Sequence, residues 1–456
     1  MELVFASTTQ LAAAIRAGEV SAMEVLHAHL AQIARANPAL NAVITLDGEG
    51  AEQRAREADA ALARGEIWGP LHGVPFTLKD AHATMGMRTT TGFPPLADYI
   101  PQVDSTVTAR LKAAGGILVG KTNVPMMLAD YQSMNPIFGR TNNPWNLERT
   151  PGGSSGGAAA ALAAGMTPFE VGTDLSASIR LPAHFCGVCG FKPTERRVPL
   201  TGLIPGLPGP RPVRIMSCIG PMARTVEDLV LVYTIIAGPD GDDTDVAPVP
   251  IDAVPPFALE DLRIAFAPTF PGFPVASEIR VAIESLARQL SPRCAVVEEA
   301  TLPPVDFTQD LARAGALIDM LTGAFQAEEQ EHPATLAQYL TALHWRDQSI
   351  LAWERFFQEW DLLLCPPAMV TAFPHCPSGS PVPLDGRPVS YDLTPAPSSV
   401  FNYTGHPAVV LPYQRDHEGL PIGIQFVGRR WGESRLLAQA LALAEVTGAF
   451  QRPSGY

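Results

Sequence analysis

A segment rich in glycine and small residues, between positions 150 and 194, contains the side chains with the clearest chemical potential. Ser154 and Ser155 lie between two Gly-Gly pairs, and glycine opens backbone conformations that let a chain approach a ligand closely. Ser178 follows in a run that is typical of a strand end and a tight turn. Serine hydroxyls are nucleophile-type groups, so this loop and this turn are candidate positions for nucleophilic chemistry.

Lysine is rare in this chain, and each lysine is therefore informative. Only four of the 32 basic residues are lysines, namely Lys79, Lys112, Lys121 and Lys192. A lysine acts as a base when burial lowers its pKa to about 7–8, whereas an arginine guanidinium does not lose its proton. Lys79 directly follows the apolar run 74–78, which predicts a position at the end of a buried strand.

The motifs of other catalytic and metal sites do not match this segment at the positions that they require. The segment has neither the G-K-[ST] nor the G-x-G-x-x-G of a phosphate-binding loop, and Ser178 is not framed by the G-x-S-x-G of an α/β-hydrolase. Cys186 and Cys189 form a C-x-x-C pair, but no second ligand pair accompanies it. We therefore expect no metal site and two small, buried cysteines.

The charge balance excludes several classes of protein. The 456 residues carry a formal net charge of −14, with a pI near 5.2 and no run of Lys or Arg. A nucleic-acid-binding protein usually has a basic stripe, so we expect no nucleic-acid partner.

Residues 151–169 are uncharged but small, and no basic segment precedes an apolar run at the N-terminus. We therefore expect no membrane span, no signal peptide and a cytoplasmic location.

Alternating helical and strand patterns predict an α/β protein. The predicted strands are 42–46, 74–78, 117–119, 263–267, 362–364, 408–412 and 422–427. One helix begins at the capping box formed by Ser21 and Glu24. The other predicted helices are 52–63, 105–114, 277–291, 306–329 and 433–446.

Several motifs, in a fixed order, resemble the amidase signature family. Segment 152–194 is similar to the signature itself, and the other motifs are Gly73-Val-Pro-Phe-Thr-Leu-Lys79-Asp80, Gly120-Lys-Thr-Asn123, Asn142-Asn-Pro-Trp145, Gly220-Pro-Met-Ala-Arg224 and Gly419-Leu-Pro-Ile-Gly-Ile-Gln425. The resemblance covers nearly the whole chain and is weakest over about 240–400. It implies a central, mixed, twisted β-sheet that α-helices cover on both faces.

The resemblance also implies one domain over residues 1–456. This domain would comprise an N-terminal helical part (1–68), a catalytic core (69–235 and 400–450) and a variable substrate-side region (240–400).

The catalytic unit of this family is Ser-Ser-Lys. The resemblance assigns Ser178 as the nucleophile, Lys79 as the base, and Ser154, in a cis peptide, as the serine that bridges them. A serine hydroxyl can accept from one partner and donate to another, which suits a proton relay. The expected intermediate is an acyl-enzyme on Ser178, and no metal or organic cofactor is needed.

Supporting roles follow from the same resemblance. We expect Ser155 to hydrogen-bond near Lys79 or Ser154, and we expect Asp174 and Arg180 to form a buried pair that fixes the turn. The oxyanion is expected to bind the backbone N–H groups of Leu175, Ser176, Ala177 and Ser178.

Three positions depart from patterns known in the family. Ser176-Ala177 stands where the family usually has Gly-Gly, and a Cβ costs about 1 kcal/mol or more if either residue needs a positive φ. Leu181 stands where the amidase subunits of glutamine-using tRNA amidotransferases commonly carry glutamine, which disfavours that role.

The expected reaction is hydrolysis of a carbonyl–nitrogen bond, with esterase side activity. Met126, Met127 and Tyr131 are candidates to line the substrate pocket, with core packing as an equal alternative, and Phe401 is a further candidate for the pocket. An uncharged lining suits aryl amides, anilides or aryl carbamates, so the expected enzyme is an amidase or urethanase. We expect a monomer or homodimer that acts on a small-molecule amide or carbamate.

Two alternative functions remain. The chain could be the amidase subunit of a tRNA-dependent amidotransferase complex, or a catalytically dead binding or assembly module. Leu181 disfavours the first alternative, and the complete set of Lys79, Ser154 and Ser178 disfavours the second.

Overall fold

The computed structural model describes residues 1–207, 213–323 and 334–456. The α-helices of this part are α1 (Thr8–Arg16), α2 (Ala22–Leu40), α3 (Gly48–Ala63), α4 (Thr106–Ala113), α5 (Gly156–Ala163), α6 (Arg180–Cys186), α7 (Val226–Ile236), α8 (Ser277–Leu290), α9 (Phe307–Gly323), α10 (Leu336–Glu359), α11 (Ala396–Tyr403) and α12 (Glu433–Thr447). The strands are β1 (Val43–Leu46), β2 (Pro75–Lys79), β3 (Ile117–Thr122), β4 (Met134–Asn135), β5 (Gly139–Arg140), β6 (Phe169–Asp174), β7 (Cys189–Lys192), β8 (Cys218–Ala223), β9 (Arg263–Phe266), β10 (Val296–Glu299), β11 (Leu362–Cys365), β12 (Val382–Leu384), β13 (Arg387–Val389), β14 (Ala408–Arg415) and β15 (Pro421–Val427).

An eight-stranded mixed sheet forms the centre of the fold, with the strand order β10-β9-β11-β15-β14-β7-β8-β6. Strand β9 is parallel to both β10 and β11, and the remaining neighbours are antiparallel. A three-stranded sheet, β1-β3-β2, lies beside its β6 edge, where Thr77 on β2 donates to Glu170 on β6 at 2.6 Å. These sheets and their flanking helices confirm the predicted mixed α/β fold.

The glycine-rich segment folds into α5, whose eight residues are Gly, Ala and one Leu and are all buried. Small side chains let neighbouring backbones approach this helix closely. A Cβ added at Gly157 would lie 2.4 Å from the backbone nitrogen of Asn123, which follows β3. The uncharged segment is therefore core, and no described helix is long and apolar enough to cross a membrane.

Most predicted elements are confirmed, with shifts of a few residues at their ends. The predicted helix 306–329 is observed as α9, and its residues 324–329 lie outside the described part of the chain. The long helix α10 was not predicted, because Leu336, Leu340 and Trp345 lie exposed on it and obscure its helical period.

Gly157→Ala should destabilise the protein, although alanine normally favours a helix. The added Cβ forces β3 and α5 apart, and overpacking of this kind costs about 1–3 kcal/mol. Gly315→Ala on α9 is the matched control, because nothing lies within 4 Å of its Cβ position. Urea denaturation measures both variants, and a Gly157→Ala protein as stable as Gly315→Ala would contradict the close approach.

Candidate active site

Lys79 ends strand β2 and has no exposed surface. Its Nζ lies 2.7 Å from Ser154 Oγ, 2.8 Å from Ser155 Oγ and 2.7 Å from Thr173 Oγ1. Burial lowers the pKa of Lys79 to about 7, although the charges of Asp174 and Glu170 act in the opposite direction. An amine with this pKa is largely neutral above pH 7 and can accept a proton.

Ser154 lies in the loop before α5, and its peptide bond with Gly153 is cis. Ser133, which is not part of this loop, holds it in place by hydrogen bonds. The Ser133 hydroxyl donates to the carbonyl of Gly152 and accepts from the N–H of Gly156, both at 3.0 Å. The bridging position predicted for Ser154 is thus on a backbone that is fixed on both sides.

Ser178 lies in the turn between β6 and α6 and is 7% exposed. The N–H of Ser155 donates to the carbonyl of Ser178 at 3.1 Å, which ties this turn to the loop of Ser154. The Ser178 hydroxyl makes no hydrogen bond with any other described residue. The structure therefore joins Lys79, Ser154 and Ser155 by side-chain contacts, and it joins Ser178 to them through the backbone.

The turn before Ser178 carries the backbone groups predicted to bind an oxyanion. The N–H groups of Leu175, Ser176 and Ser178 have no acceptor among the described residues. The N–H of Ala177 differs from the other three, because it donates to Asn402 Oδ1 at 3.2 Å. Ala177 has φ +67°, so it is the residue that carries a Cβ in the left-handed region, at a cost of about 1–2 kcal/mol.

A buried ion pair lies beneath this turn. Arg180 donates to both carboxylate oxygens of Asp174, at 2.9 and 3.1 Å, and neither side chain is exposed. Burial would raise the pKa of Asp174, but the charges of Arg180 and Lys192 and the hydrogen bonds from Arg180 and Asn402 together lower this pKa to about 2. Asp174 also accepts from the N–H of Ile179, and Arg180 donates to Gln425 Oε1. The pair is therefore integrated into the core and is not a solvated pair.

Two residues of the site escaped the sequence prediction. Thr173 contacts Lys79 directly, yet a threonine inside a buried strand carries no distinctive signal. Asn402 donates to Asp174 Oδ1 at 2.8 Å from a position 228 residues away, so no local pattern could reveal it.

Other buried charges lie near Lys79. Glu170 accepts from the hydroxyl of Thr77, and burial raises the pKa of Glu170 to about 7. Lys121 donates to the carbonyl of His82 at 2.5 Å and to the hydroxyl of Thr84 at 3.1 Å, and burial lowers its pKa to about 8. Lys121 thus ties the loop after β2 to the core.

The four predicted pocket residues differ in position. Tyr131 is half-buried, and its hydroxyl lies 3.3 Å from Ser176 Oγ. Met126 is exposed, and Met127 lies against the hydroxyl of Thr91.

Phe401 does not fit the predicted role in the pocket. It has no exposed surface, because its ring packs against Phe270 and Trp353 in an aromatic cluster of the core.

The cysteines and acidic residues offer no metal site in the part of the chain that the structure describes. Cys186 and Cys189 are both buried and unpaired by disulfides, and burial raises the pKa of each thiol. They fit the prediction of small core residues.

Asp174→Ala should strongly destabilise the fold, because it leaves Arg180 charged, buried and unpaired. Removing one partner of such a pair costs about 3–5 kcal/mol. The control is Glu57→Ala, which removes an exposed partner of Arg54 and should change stability by at most about 1 kcal/mol. Urea denaturation tests both, and equal effects of the two variants would refute the buried role.

Comparison with known proteins places this chain in a family. The profile of the Amidase family matches residues 24–324 and 312–437. The A subunit of glutamyl-tRNA(Gln) amidotransferase from Roseiflexus sp. (strain RS-1) is 33% identical over an alignment of 475 positions, gaps included, that covers 95% of each protein. The structure of a bacterial aryl acylamidase of the amidase signature family has a TM-score of 0.86 and 27% identity, covering 97% of this chain and 96% of that chain. The structure of 6-aminohexanoate cyclic dimer hydrolase has a TM-score of 0.82 and 28% identity, covering 99% of both. The chain therefore belongs to the Amidase family and is an amidase-type enzyme.

Proposed function

We propose that this enzyme hydrolyses carbonyl–nitrogen bonds of small, uncharged amides through an acyl-enzyme on Ser178. The observation that carries this proposal is the contact between the buried amine of Lys79 and Ser154 Oγ at 2.7 Å, in a loop tied to Ser178. A lowered lysine pKa, a hydroxyl beside it and a second serine nearby are the parts that general-base catalysis needs.

The proton follows a short path in this mechanism. A neutral Lys79 has a lone pair, so one of its three hydroxyl partners donates to it, and Ser154 takes that role. Ser154 then passes its own proton to Lys79 and accepts the proton of Ser178 as Ser178 Oγ bonds to the substrate carbonyl carbon. When the carbon–nitrogen bond breaks, Ser154 donates a proton to the leaving nitrogen and regains one from the Lys79 ammonium group. Water then repeats the sequence to release the acid and free Ser178.

The negative charge of the tetrahedral intermediate needs backbone donors. The N–H groups of Leu175, Ser176 and Ser178 supply them in this mechanism, while the N–H of Ala177 is shared with Asn402. Loss of one such donor typically raises a barrier by about 3–4 kcal/mol. The ion pair of Asp174 and Arg180 holds these groups in place before substrate arrives.

The side chains nearest the turn favour an apolar, aromatic substrate. Tyr131 borders the turn, and its ring lies 5.7 Å from that of Tyr391, which in turn lies 5.8 Å from Phe373. Aryl amides and aryl carbamates suit such surroundings, and esters of similar shape should react as side substrates. The likeness to an aryl acylamidase structure supports this substrate class. We further propose a cytoplasmic monomer or homodimer with no nucleic-acid partner and no cofactor.

A second candidate function is that of the amidase component in a tRNA-dependent amidotransferase. The identity of 33% to the A subunit of such an enzyme, over nearly the whole chain, favours it. Leu181 disfavours it, because a fully buried leucine on α6 offers no polar group to a glutamine substrate.

The pH dependence of amide hydrolysis should reveal Lys79. Only the neutral amine accepts a proton, so kcat/KM should fall about tenfold per pH unit below pH 7, where Lys79 is protonated, and level off above it. Steady-state rates on an anilide measure this profile. Lys112→Ala, on the surface of α4, should show the same fall of kcat/KM below pH 7, whereas Lys79→Ala should abolish amide turnover. A Lys79→Ala enzyme with normal turnover would overturn the assignment of the base.

The isolated chain should hydrolyse an anilide without any partner. Gel filtration of the purified protein, followed by assays on a primary amide, an anilide and an aryl carbamate, tests this directly. Ser178→Ala is the control and should be inactive. Activity that requires a glutamine substrate and partner subunits would favour the amidotransferase. Failure of a fluorophosphonate to label Ser178 would favour a catalytically dead module.

A further inference from the structure

A chain of three hydroxyl groups crosses the site beside the oxyanion turn. Tyr131 Oη lies 3.3 Å from Ser176 Oγ, which lies 2.7 Å from Ser399 Oγ, and Ser399 donates to the carbonyl of Pro395 at 3.1 Å. Each hydroxyl has only one proton to donate. Because Ser399 gives its proton to Pro395, it accepts from Ser176, and Ser176 then accepts from Tyr131. In this order of donation, each of the three hydroxyl groups has an acceptor.

This row of hydroxyl groups depends on a side chain that the family pattern lacks. Ser176 stands where that pattern has glycine, and glycine would leave a gap between Tyr131 and Ser399. With serine at this position, the tyrosine hydroxyl is anchored to α11, on the opposite side of the turn. The anchoring hydroxyl is half-buried, two residues before Ser178.

The backbone of Tyr131 packs closely against Gly153. A Cβ added at Gly153 would lie 2.5 Å from the carbonyl oxygen of Asp130 and 2.8 Å from the carbonyl carbon of Tyr131. The backbone of Tyr131 therefore contacts the loop of Ser154, and its hydroxyl contacts Ser176. It spans the distance between the two serine-bearing segments of the site.

The Tyr131 ring lies at one end of a row of aromatic rings. Its centroid lies 5.7 Å from that of Tyr391, and the contacts continue to Phe373 and then to Phe185, each at 5.8 Å. Tyr391 also donates to the carboxylate of Asp130. A ring held at its backbone, its face and its hydroxyl forms a rigid, flat surface, and preorganised surfaces bind ligands at a smaller entropic cost.

We propose that Ser176 is a specificity-determining positioning residue, whose hydroxyl fixes the Tyr131 ring as a flat wall of the substrate site and so favours substrates with a planar aromatic group. This inference rests on the proposed amidase function. The ligand class is a neutral amide or carbamate that carries an aryl ring next to the scissile bond, and the discrimination is against saturated rings of similar size.

The test compares acetanilide with N-cyclohexylacetamide, which differ mainly in the flatness of the ring. Ser176→Ala and Tyr131→Phe should each lower the ratio of kcat/KM values, anilide over cyclohexyl amide, by about 5–10-fold, as loss of one hydrogen bond allows. The change should lie mainly in the KM of the anilide. The double variant should show no larger loss than either single variant, because both remove the same contact.

Two further variants complete the design. Ser176→Thr retains a hydroxyl and should restore much of the ratio. Ser434→Ala removes a serine hydroxyl on α12, outside the site, and should leave the ratio unchanged. Equal losses for both substrates, multiplicative effects in the double variant, or a ratio within about twofold of the parent would each overturn the inference.

Binding separates this inference from the proposed function. In a Ser178→Ala background, which cannot form an acyl-enzyme, calorimetry gives the dissociation constants of the two amides with and without the Ser176 hydroxyl. A selective weakening of anilide binding supports the wall even if the parent enzyme fails to hydrolyse either amide. Unselective weakening, or none, overturns the wall even if the parent enzyme is an active amidase.

Discussion

An amine without access to water imposes the main constraint on this protein. A buried ammonium ion is costly, so Lys79 needs either hydrogen-bond acceptors or the loss of its proton, and the site provides for both. Three hydroxyls surround its Nζ within 2.8 Å, and burial lowers its pKa to about 7. Each hydroxyl comes from a segment that must be held in register with β2. The close packing of α5 and the contact between β2 and β6 serve that requirement.

The turn of Ser178 depends on a second buried charge. Arg180 is satisfied by Asp174, Gln425 and the carbonyl of Ser398, so it joins β6, α6, α11 and β15 at one point. These elements are distant in the chain, and the ion pair sets their spacing. The positive φ of Ala177 persists because its surroundings are fixed on both sides. Preorganisation of the backbone donors is thus a property of the core and not of the turn alone.

The sequence predicted the parts of the site that local patterns encode. The roles of Lys79, Ser154 and Ser178 came from the resemblance to the amidase signature motifs, while the residues alone showed a lysine at the end of an apolar run and two serines framed by glycines. The strands were recognisable as short apolar runs. Asn402 could not be found, since its partners lie in another part of the chain, and Phe401 was misjudged because an apolar residue on α11 suits a pocket and a core equally. Whether Ser176 or Ala177 takes the positive φ depends on three-dimensional contacts that no pattern records.

The burial of Lys79, Lys121 and Glu170 links folding to proton exchange. The unfolded lysines titrate near pH 10.4, about two to three units above their values of about 7 and 8 in the fold, so the free energy of unfolding rises with pH from neutrality upward. Glu170 titrates at about 7 in the fold and near 4.3 when unfolded, so its contribution falls as pH rises towards neutrality. These three groups stabilise the fold least near pH 7. The pH near which Lys79 becomes available as a base is therefore also the pH at which these three groups together stabilise the folded chain least.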